Sequence, residues 1–327
     1  MVLSQIRLGL IGAGQWGRAY IRTIDQIPGV RLSWLCSSNP ESSNLVPEGC
    51  QITGNWRSMM GSQDLDGIII ATPPILHAEM VLASLEAGLP VMVEKPMTVK
   101  LEEAIEIREA ALSSGVPVLV NHIHLFQPAY RRLKELARDL GPVKAVRSIG
   151  GQWVKARPDV SPLWDYGPHD VALSIDLMQH APSVAKVTGL VETSVEGGRG
   201  ETVNLDLEFP GAVVASITVG NAMPKKRRLF AAQFDEEALL VDDLAEMKLS
   251  RYSGLCVHDI DHDSPERLLK NHPAVHIPTE DTLPLTKAVV EFAEGVRDPF
   301  DLPSSFGVDL AVEVTRVLEA CENDKEY

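Results

Sequence analysis

The sequence predicts an α/β protein: a doubly wound parallel sheet followed by an α+β domain with a large open, mostly antiparallel sheet. Three observations lead there. Through the first third of the chain, short apolar runs alternate with helical patterns, as βαβ units around a buried parallel sheet require. A Gly-x-Gly-x-x-Gly, Gly12-Ala13-Gly14-Gln15-Trp16-Gly17, falls at the first strand-to-helix turn. Beyond Asn121 the hydrophobic period shortens to two, which marks strands with one buried and one wet face. The division is accordingly expected after residue 121, giving domains of residues 1–121 and 122–327, with a closing helix near residues 305–321 packing back on the first domain.

Each element has its own signal. Strands are expected from Ile6 to Ile11, Arg31 to Cys36, Gly67 to Ala71, Val91 to Val93 and Pro117 to Val120, mostly continuous apolar runs. Helices are expected from Gly17 to Ile27, His77 to Ala87 and Leu101 to Ser113, the last capped by Thr98. The stretch from Pro128 to Leu140 reads as an amphipathic helix, with Leu133, Leu136 and Leu140 on one face and Arg131, Arg132 and Lys134 elsewhere. A hairpin follows, where Val203, Leu205, Leu207 and Phe209 alternate before Pro210-Gly211 and Val213, Ala215, Ile217 and Val219 alternate after it. Further strands are expected from Val143 to Val154, Arg228 to Phe234, Ala238 to Val241 and Met247 to Tyr252, interrupted by a helix from Asp170 to Met178. Cys256 to Thr282 reads as irregular, and Leu283 to Cys321 returns to helical periodicity.

Composition narrows the function classes. With 327 residues and 45% hydrophobic content the chain can build two real cores. Acidic residues outnumber basic ones, 45 to 30, and the formal charge of -15 disfavours non-specific attraction to nucleic acid. The one basic cluster, Lys225-Lys226-Arg227-Arg228, reads as a solvated turn or strand edge. Cys36, Cys50, Cys256 and Cys321 show no Cys-x-x-Cys spacing, which fits reduced thiols and implies neither a disulfide framework nor a zinc ribbon. No apolar stretch approaches the length of a membrane span, so a soluble cytoplasmic chain with neither nucleic acid nor membrane as partner is expected. His258, Asp259, Asp261, His262, Asp263, His272 and His276 are ligand-like, yet their spacing matches no helical histidine pair or calcium loop, and no metal is expected.

The glycine motif carries the first chemistry. Gly12 permits a tight turn, Gly14 lets a pyrophosphate approach the backbone, and Gly17 lets helix pack on strand, while the helix N-terminus attracts the phosphates. Ala13, Gln15 and Trp16 complete this turn. A glycine-rich turn that binds nothing is the plainer alternative; the position inside a βαβ series favours a dinucleotide. Its identity is read at the end of the second strand, Leu35-Cys36-Ser37-Ser38-Asn39-Pro40-Glu41. With no Asp at Ser37 or Ser38, a 2'-phosphate meets no repulsion there and two hydroxyls can donate to it. No Arg or Lys stands beside the serines and Glu41 lies nearby, so NADP is favoured and NAD stays open.

A second motif ends the fourth predicted strand: Val91-Met92-Val93-Glu94-Lys95-Pro96 runs from apolar residues straight into a carboxylate, an ammonium and a proline. Taken alone it reads as a surface ion pair closing a strand. Open α/β sheets nevertheless bind ligands outside the carboxyl ends of their strands, which places Lys95 for chemistry. After the third strand comes Ala71-Thr72-Pro73-Pro74-Ile75-Leu76-His77, and much later Leu163-Trp164-Asp165-Tyr166-Gly167-Pro168-His169-Asp170. In order and spacing, over nearly the whole chain, these motifs resemble the glucose-fructose oxidoreductase, inositol dehydrogenase and rhizopine-catabolism (Gfo/Idh/MocA) family. Pro284-Leu285, Phe292 and a closing helix fit as well. The segment around Asp165, preceded by Asn121 to Leu136, resembles most the branch acting on nucleotide-linked sugars.

That resemblance implies a Rossmann domain, an NAD(P)-dependent sugar or polyol dehydrogenase or reductase, and a set of site residues. The Thr72-Pro73-Pro74 turn, with His77, would pass along the cofactor; Glu94 and Lys95 would follow, Lys95 reaching the reacting carbon; Asp165 and His169 would complete the site. Asn121 and His122, at the end of the fifth predicted strand, lie where nicotinamide or substrate contacts are expected. Independently of the family, residues four apart at a helix start share a face, so Asp165 and His169 can point into one cleft, provided Asp165 lies in or just before the first turn, where Pro168 is tolerated.

Hydride transfer to a nicotinamide needs a group for the hydroxyl proton and a charge for the developing alkoxide. A histidine titrates near neutrality, so His169 is the expected proton acceptor in oxidation and donor in reduction. Lys95 supplies the charge, and with a depressed pKa would also shuttle a proton; the choice between the two stays open. Asp165 orients either partner. Trp153, Lys155, Arg157, Trp164 and Tyr166 combine aromatic surface with cationic donors suited to a polar, sugar-like substrate, whereas His124 reads as structural. The expected reaction moves a hydride between nicotinamide and a secondary alcohol or ketone of a sugar, nucleotide sugar or cyclitol. A non-catalytic dinucleotide-sensing regulator of the same fold is the alternative, and retention of both Lys95 and His169 argues against it. A homo-oligomer, dimer or tetramer, is expected to cover the exposed sheet face.

Overall fold

The computed structural model describes residues 5–298 and 307–324. Their contacts separate two units, one spanning the described residues of Met1–Ile123 and Thr282–Thr315, the other those of His124–Asp281 and Arg316–Tyr327.

The first unit begins with β1 (Ile6–Ile11), α1 (Gln15–Asp25), β2 (Val30–Cys36), β3 (Gln51–Thr53), α2 (Arg57–Met60), β4 (Gly67–Ile70), α3 (His77–Glu86), β5 (Val91–Glu94), α4 (Leu101–Ser114) and β6 (Val118–Asn121). The six strands form a parallel sheet in the order β3-β2-β1-β4-β5-β6. The order reverses between β1 and β4, so the crevice at their carboxyl ends is the ligand position of an open α/β sheet. β4, β5 and β6 are buried along their whole length, which is why they read as unbroken apolar runs. Thr98 is not the cap of α4: Lys100 takes that position, and the Thr98 hydroxyl accepts from the Lys100 N–H at 3.2 Å and donates to Glu103. Asn39, at the end of β2, accepts from the Glu41 N–H instead of continuing the strand.

In the second unit, α5 (Pro128–Leu140) is followed by β7 (Ala145–Trp153), α6 (Pro162–Met178), β8 (Val184–Val195), β9 (Gly198–Phe209), β10 (Val213–Gly220), β11 (Ala222–Gln233), β12 (Glu237–Asp242), β13 (Leu249–Ser253), α7 (Pro265–Leu269) and β14 (Ala274–Ile277). The eight strands run β14-β13-β12-β11-β7-β10-β9-β8. Every pair is antiparallel except β7 with β10. The helix α6 lies on one face of this sheet, against β7, β9 and β10. It starts at Pro162, well ahead of the predicted Asp170, because Ser161 supplies a non-helical cap and Pro162 is pre-set for the first turn; Pro168 sits inside the helix. The stretch expected to be irregular carries α7 and β14.

The chain closes with α8 (Pro284–Arg297) and α9 (Val308–Asp324). α8 packs on α1, and a Cβ at Gly67 would lie 3.1 Å from both Phe292 and Val296. Val308, Ala311 and Val312 at the start of α9 join the apolar core around β4 and β5. Residues 122–327 are therefore not one continuous domain: the stretch from Thr282 to Thr315 belongs with the first unit. Residues 305–306 of the expected closing helix lie outside the described residues. Among those described, no helix is long and apolar enough to cross a membrane.

Candidate active site

At the glycine turn each backbone constraint is visible. Gly12 has φ +103°, and a Cβ there would sit 2.5 Å from the Ala71 carbonyl oxygen. A Cβ at Gly17 would lie 2.0 Å from the Gly12 carbonyl oxygen. Gly14 is different: it caps α1, and no atom lies within 4 Å of where its Cβ would be. The first turn of α1 holds no acidic residue to compensate its free N–H groups. An open glycine cradle before an uncompensated helix N-terminus fits a dinucleotide pyrophosphate. Gln15 and Trp16 are exposed, and the Ala13 carbonyl accepts from Arg18 Nε at 3.4 Å.

At the end of β2 the two serines differ. Ser37 Oγ lies 2.8 Å from Ser42 Oγ and accepts from the Asn39 N–H at 3.2 Å, so its hydroxyl is engaged within the loop. Ser38 is exposed.

The Thr72-Pro73-Pro74 turn follows β4. Pro73 is exposed, while Pro74 is buried. His77 is fully buried, its Nδ1 at 2.9 Å from the Pro96 carbonyl and its Nε2 at 2.8 Å from that of Thr72. Burial pushes its pKa down, and a neutral ring donates to one carbonyl at a time. His77, expected along the cofactor, is thus enclosed between the Thr-Pro-Pro turn and the Glu-Lys-Pro turn.

Glu94 is likewise turned inward. Its Oε1 accepts from Tyr20 Oη at 2.6 Å and from Asn121 Nδ2 at 2.8 Å, and Asn121 Nδ2 also donates to Tyr20 Oη at 2.7 Å. All three side chains are buried, and burial pushes the Glu94 carboxyl up despite its donors. The Tyr20 hydroxyl is pushed well up by burial and the adjacent carboxylate. Glu94, expected along the cofactor, instead anchors the strand end. Asn121 Oδ1 is buried with no hydrogen-bond partner among the described residues. Lys95 is half-buried and joined to Pro96 by a cis peptide bond. His122, expected to meet substrate, is 2% exposed.

In the second unit, Asp165 lies in the first turn of α6 and His169 one turn later, 9% exposed. Arg157 Nη1 donates to Asp165 Oδ1 at 2.9 Å, and its Nε donates to Asp159 at 3.0 Å. The guanidinium expected to bind substrate is thus already held by two carboxylates. Trp164 and Tyr166, also expected against substrate, are 7% and 5% exposed: α6 turns them into the interior, where Arg228 lies over the Tyr166 ring. Of the expected aromatics Trp153 stays open to solvent. The basic cluster is not wholly solvated either, since Arg227 is 8% exposed and paired with Glu266.

Tyr20 and Asp170 carry no signal in the sequence that marks them for the site. His124, expected to be structural, meets the His169 ring edge-on, with centroids 4.5 Å apart. Asp170 is buried against Ser148, which donates to it, and burial pushes its carboxyl up to about 6. A Cβ at Gly150 would lie 2.7 Å from Asp170 Oδ2, so the glycine makes the room. Behind His124 and Asp170 is a cavity of about 30 Å³, lined also by Gln127, Tyr130, Arg228 and Asp243 and large enough for a water. Of the ligand-like segment, Asp261, His262 and Asp263 bring donor atoms within 4.8 Å of one another at the surface.

The chain is similar to known proteins. Residues 6–122 match the family described as oxidoreductase family, NAD-binding Rossmann fold (GFO_IDH_MocA). A protein of known crystal structure from Magnetospirillum magnetotacticum MS-1 is 39% identical with a TM-score of 0.88, covering 97% of this chain and 100% of that one. An inositol 2-dehydrogenase of Saccharopolyspora erythraea is 30% identical over 135 residues, 40% of each chain. The rhizopine catabolism protein MocA of Rhizobium meliloti is 29% identical over 159 residues, 48% of this chain and 50% of its own. Against these two curated relatives the chain thus spans half their length or less. On the family match over the residues that carry the glycine cradle and the Glu-Lys-Pro turn, together with these relatives, the chain belongs to the Gfo/Idh/MocA oxidoreductase family.

Proposed function

We propose that the protein is an NAD(P)-dependent dehydrogenase or reductase acting on a secondary hydroxyl or ketone of a sugar, nucleotide sugar or cyclitol. The observation that carries this is Lys95, a half-buried ammonium at the carboxyl end of β5, on the same carboxyl edge of the parallel sheet as the open cradle at Gly14. Gly12, Gly14 and the N-terminus of α1 would hold the pyrophosphate, Ser38 the adenosine ribose, Thr72 and Pro73 the path between. Asn121 offers its buried Oδ1 to an amide donor such as a carboxamide. When bound, the nicotinamide supplies the hydride acceptor or donor.

The chain's own residues supply the rest. His169 takes the hydroxyl proton in oxidation and returns it in reduction. Lys95 holds positive charge beside the substrate oxygen as negative charge develops there. Asp165, fixed by Arg157, orients the groups around it. The absence of an acid at positions 37 and 38, with Ser38 exposed, favours NADP over NAD. Sugar or cyclitol chemistry is supported by the likeness to an inositol 2-dehydrogenase. Self-association belongs to the reading, because Val184 and Val191 on edge strand β8 leave apolar surface that a second copy would cover.

The test is a panel of myo-inositol, glucose and UDP-N-acetylglucosamine, each with NAD and NADP, followed at the nicotinamide absorbance band. Turnover with one of them is expected, and Lys95→Ala should abolish it while dinucleotide affinity stays within about twofold, a change of some 0.4 kcal/mol. Wild-type turnover by Lys95→Ala would overturn the mechanism. Tight dinucleotide binding with no turnover across the panel would favour a sensing role.

A further inference from the structure

We propose that Tyr20 is a positioning residue for Lys95, acting through Glu94, and that it links the helix of the glycine turn to the aim of the lysine. The inference rests on the reading of Lys95 as the charge that meets substrate. Tyr20 lies on α1, Glu94 ends β5 and Asn121 ends β6, so three separate elements meet in one closed triangle of hydrogen bonds between 2.6 and 2.8 Å.

A carboxylate buried this deeply at a strand end destabilises the fold unless donors satisfy it, and an apolar side chain would serve the core better. The triangle therefore does something other than fill space. Glu94 directly precedes Lys95, and its side chain cannot turn without breaking bonds to both Tyr20 and Asn121. On the far side of Lys95, the Pro96 carbonyl lies 2.9 Å from His77 Nδ1, which holds it in the tautomer protonated at that nitrogen. The backbone of the lysine is thus pinned from both flanks, by a carboxylate on one side and a carbonyl on the other. The first pin runs to α1, whose N-terminus is the open cradle for phosphate. The same tyrosine that secures this helix on the sheet secures the residue that carries the lysine.

The experiment measures Lys95 directly, in the full-length protein and without substrate. Competitive labelling with acetic anhydride is read by peptide mass spectrometry, with the exposed Lys226 as internal reference. In Tyr20→Phe, which keeps the ring and removes the hydroxyl, the Lys95-to-Lys226 labelling ratio should change by at least about threefold. Glu94→Gln, nearly isosteric, should change it in the same direction. The double variant should go no further than Glu94→Gln alone, because Tyr20 acts only through that carboxylate. On any sugar that turns over, Tyr20→Phe should lower kcat about tenfold and leave KM for the dinucleotide within about twofold, a split that mere loss of stability does not produce.

An unchanged ratio in Tyr20→Phe overturns the inference, as do effects that multiply in the double variant. If Tyr20→Phe fails to fold, an unchanged ratio in Glu94→Gln overturns it equally. Lys95→Ala separates this from the functional reading: wild-type turnover there sinks the lysine's catalytic role whatever the labelling shows, whereas lost turnover with unchanged labelling sinks the Tyr20 link alone.

Discussion

Replacing Gly14 and Gly17 in turn by alanine separates the part of the glycine motif that binds from the part that folds. At Gly14 the backbone is extended, with φ -69° and ψ -163°, a conformation open to alanine, and a Cβ there meets nothing within 4 Å. Alanine is a poorer cap than glycine by roughly 0.5–1 kcal/mol, and it regains about 0.4–1 kcal/mol by narrowing the unfolded ensemble. The two offset, so the unfolding midpoint of Gly14→Ala should stay within about 3 °C of wild type. Its methyl group nevertheless occupies the space a pyrophosphate would use, and dinucleotide affinity should fall about tenfold to a hundredfold, or roughly 1.4–2.8 kcal/mol.

At Gly17 the balance is reversed. Alanine inside a helix gains about 1 kcal/mol in propensity, but its Cβ would sit 2.0 Å from the Gly12 oxygen and 2.8 Å from the Gly12 carbonyl carbon. Those are backbone atoms that no rotamer change can move, so α1 must shift off the sheet. Overpacking of this kind costs about 1–3 kcal/mol and more when backbone is involved, and the midpoint should drop together with affinity. Calorimetric titration with NAD and NADP, paired with thermal unfolding, measures both. Wild-type affinity in Gly14→Ala, or an equal fall in stability in the two variants, would refute the division of labour.

The buried carboxyl of Asp170 gives a pH signature. Burial raises it from 3.8 to about 6, so between those values the folded chain holds a proton that the unfolded chain has lost, and stability falls as pH rises through 6. About two pH units at 1.36 kcal/mol each give roughly 3 kcal/mol. Asp170→Asn cannot ionise, so its stability relative to wild type should rise by about that amount from pH 4 to pH 7 in urea titrations; parallel curves would contradict the shift. At the ribose end, Ser38→Asp should weaken NADP relative to NAD by at least about tenfold, 1.4 kcal/mol, because a carboxylate accepts from a 2'-hydroxyl and repels a 2'-phosphate. An unchanged ratio of the two dissociation constants would place the ribose elsewhere.

What the sequence reveals and what it hides divide along a physical line. β4, β5 and β6 are legible because strands buried on both faces must be apolar throughout, and the glycine turn because its demands fall on single residues. β8 escapes notice: it is an edge strand whose register slips between Val187 and Gly189, so no face is buried firmly enough to impose alternation. The start of α6 is hidden because proline usually ends a helix, and here Pro162 opens one while Pro168 is carried inside.

The candidate site divides in the same way. Lys95, Asp165 and His169 stand in local motifs, whereas the partners that fix a site are brought in by the fold: Tyr20 lies 74 residues from Glu94 and 101 from Asn121. An aromatic residue beside a chemical motif gives no local sign of which way it faces, which is why Trp164 and Tyr166 looked like substrate contacts and prove to be interior. Asp170 shows the limit most clearly. Its carboxyl enters the interior because position 150, across the packing of β7 and α6, has no Cβ to stop it, and Ser148 on the same strand supplies the donor. Gly150 and Ser148 alone are an unremarkable stretch of strand; only the helix laid over them turns the missing Cβ into a place for a charge.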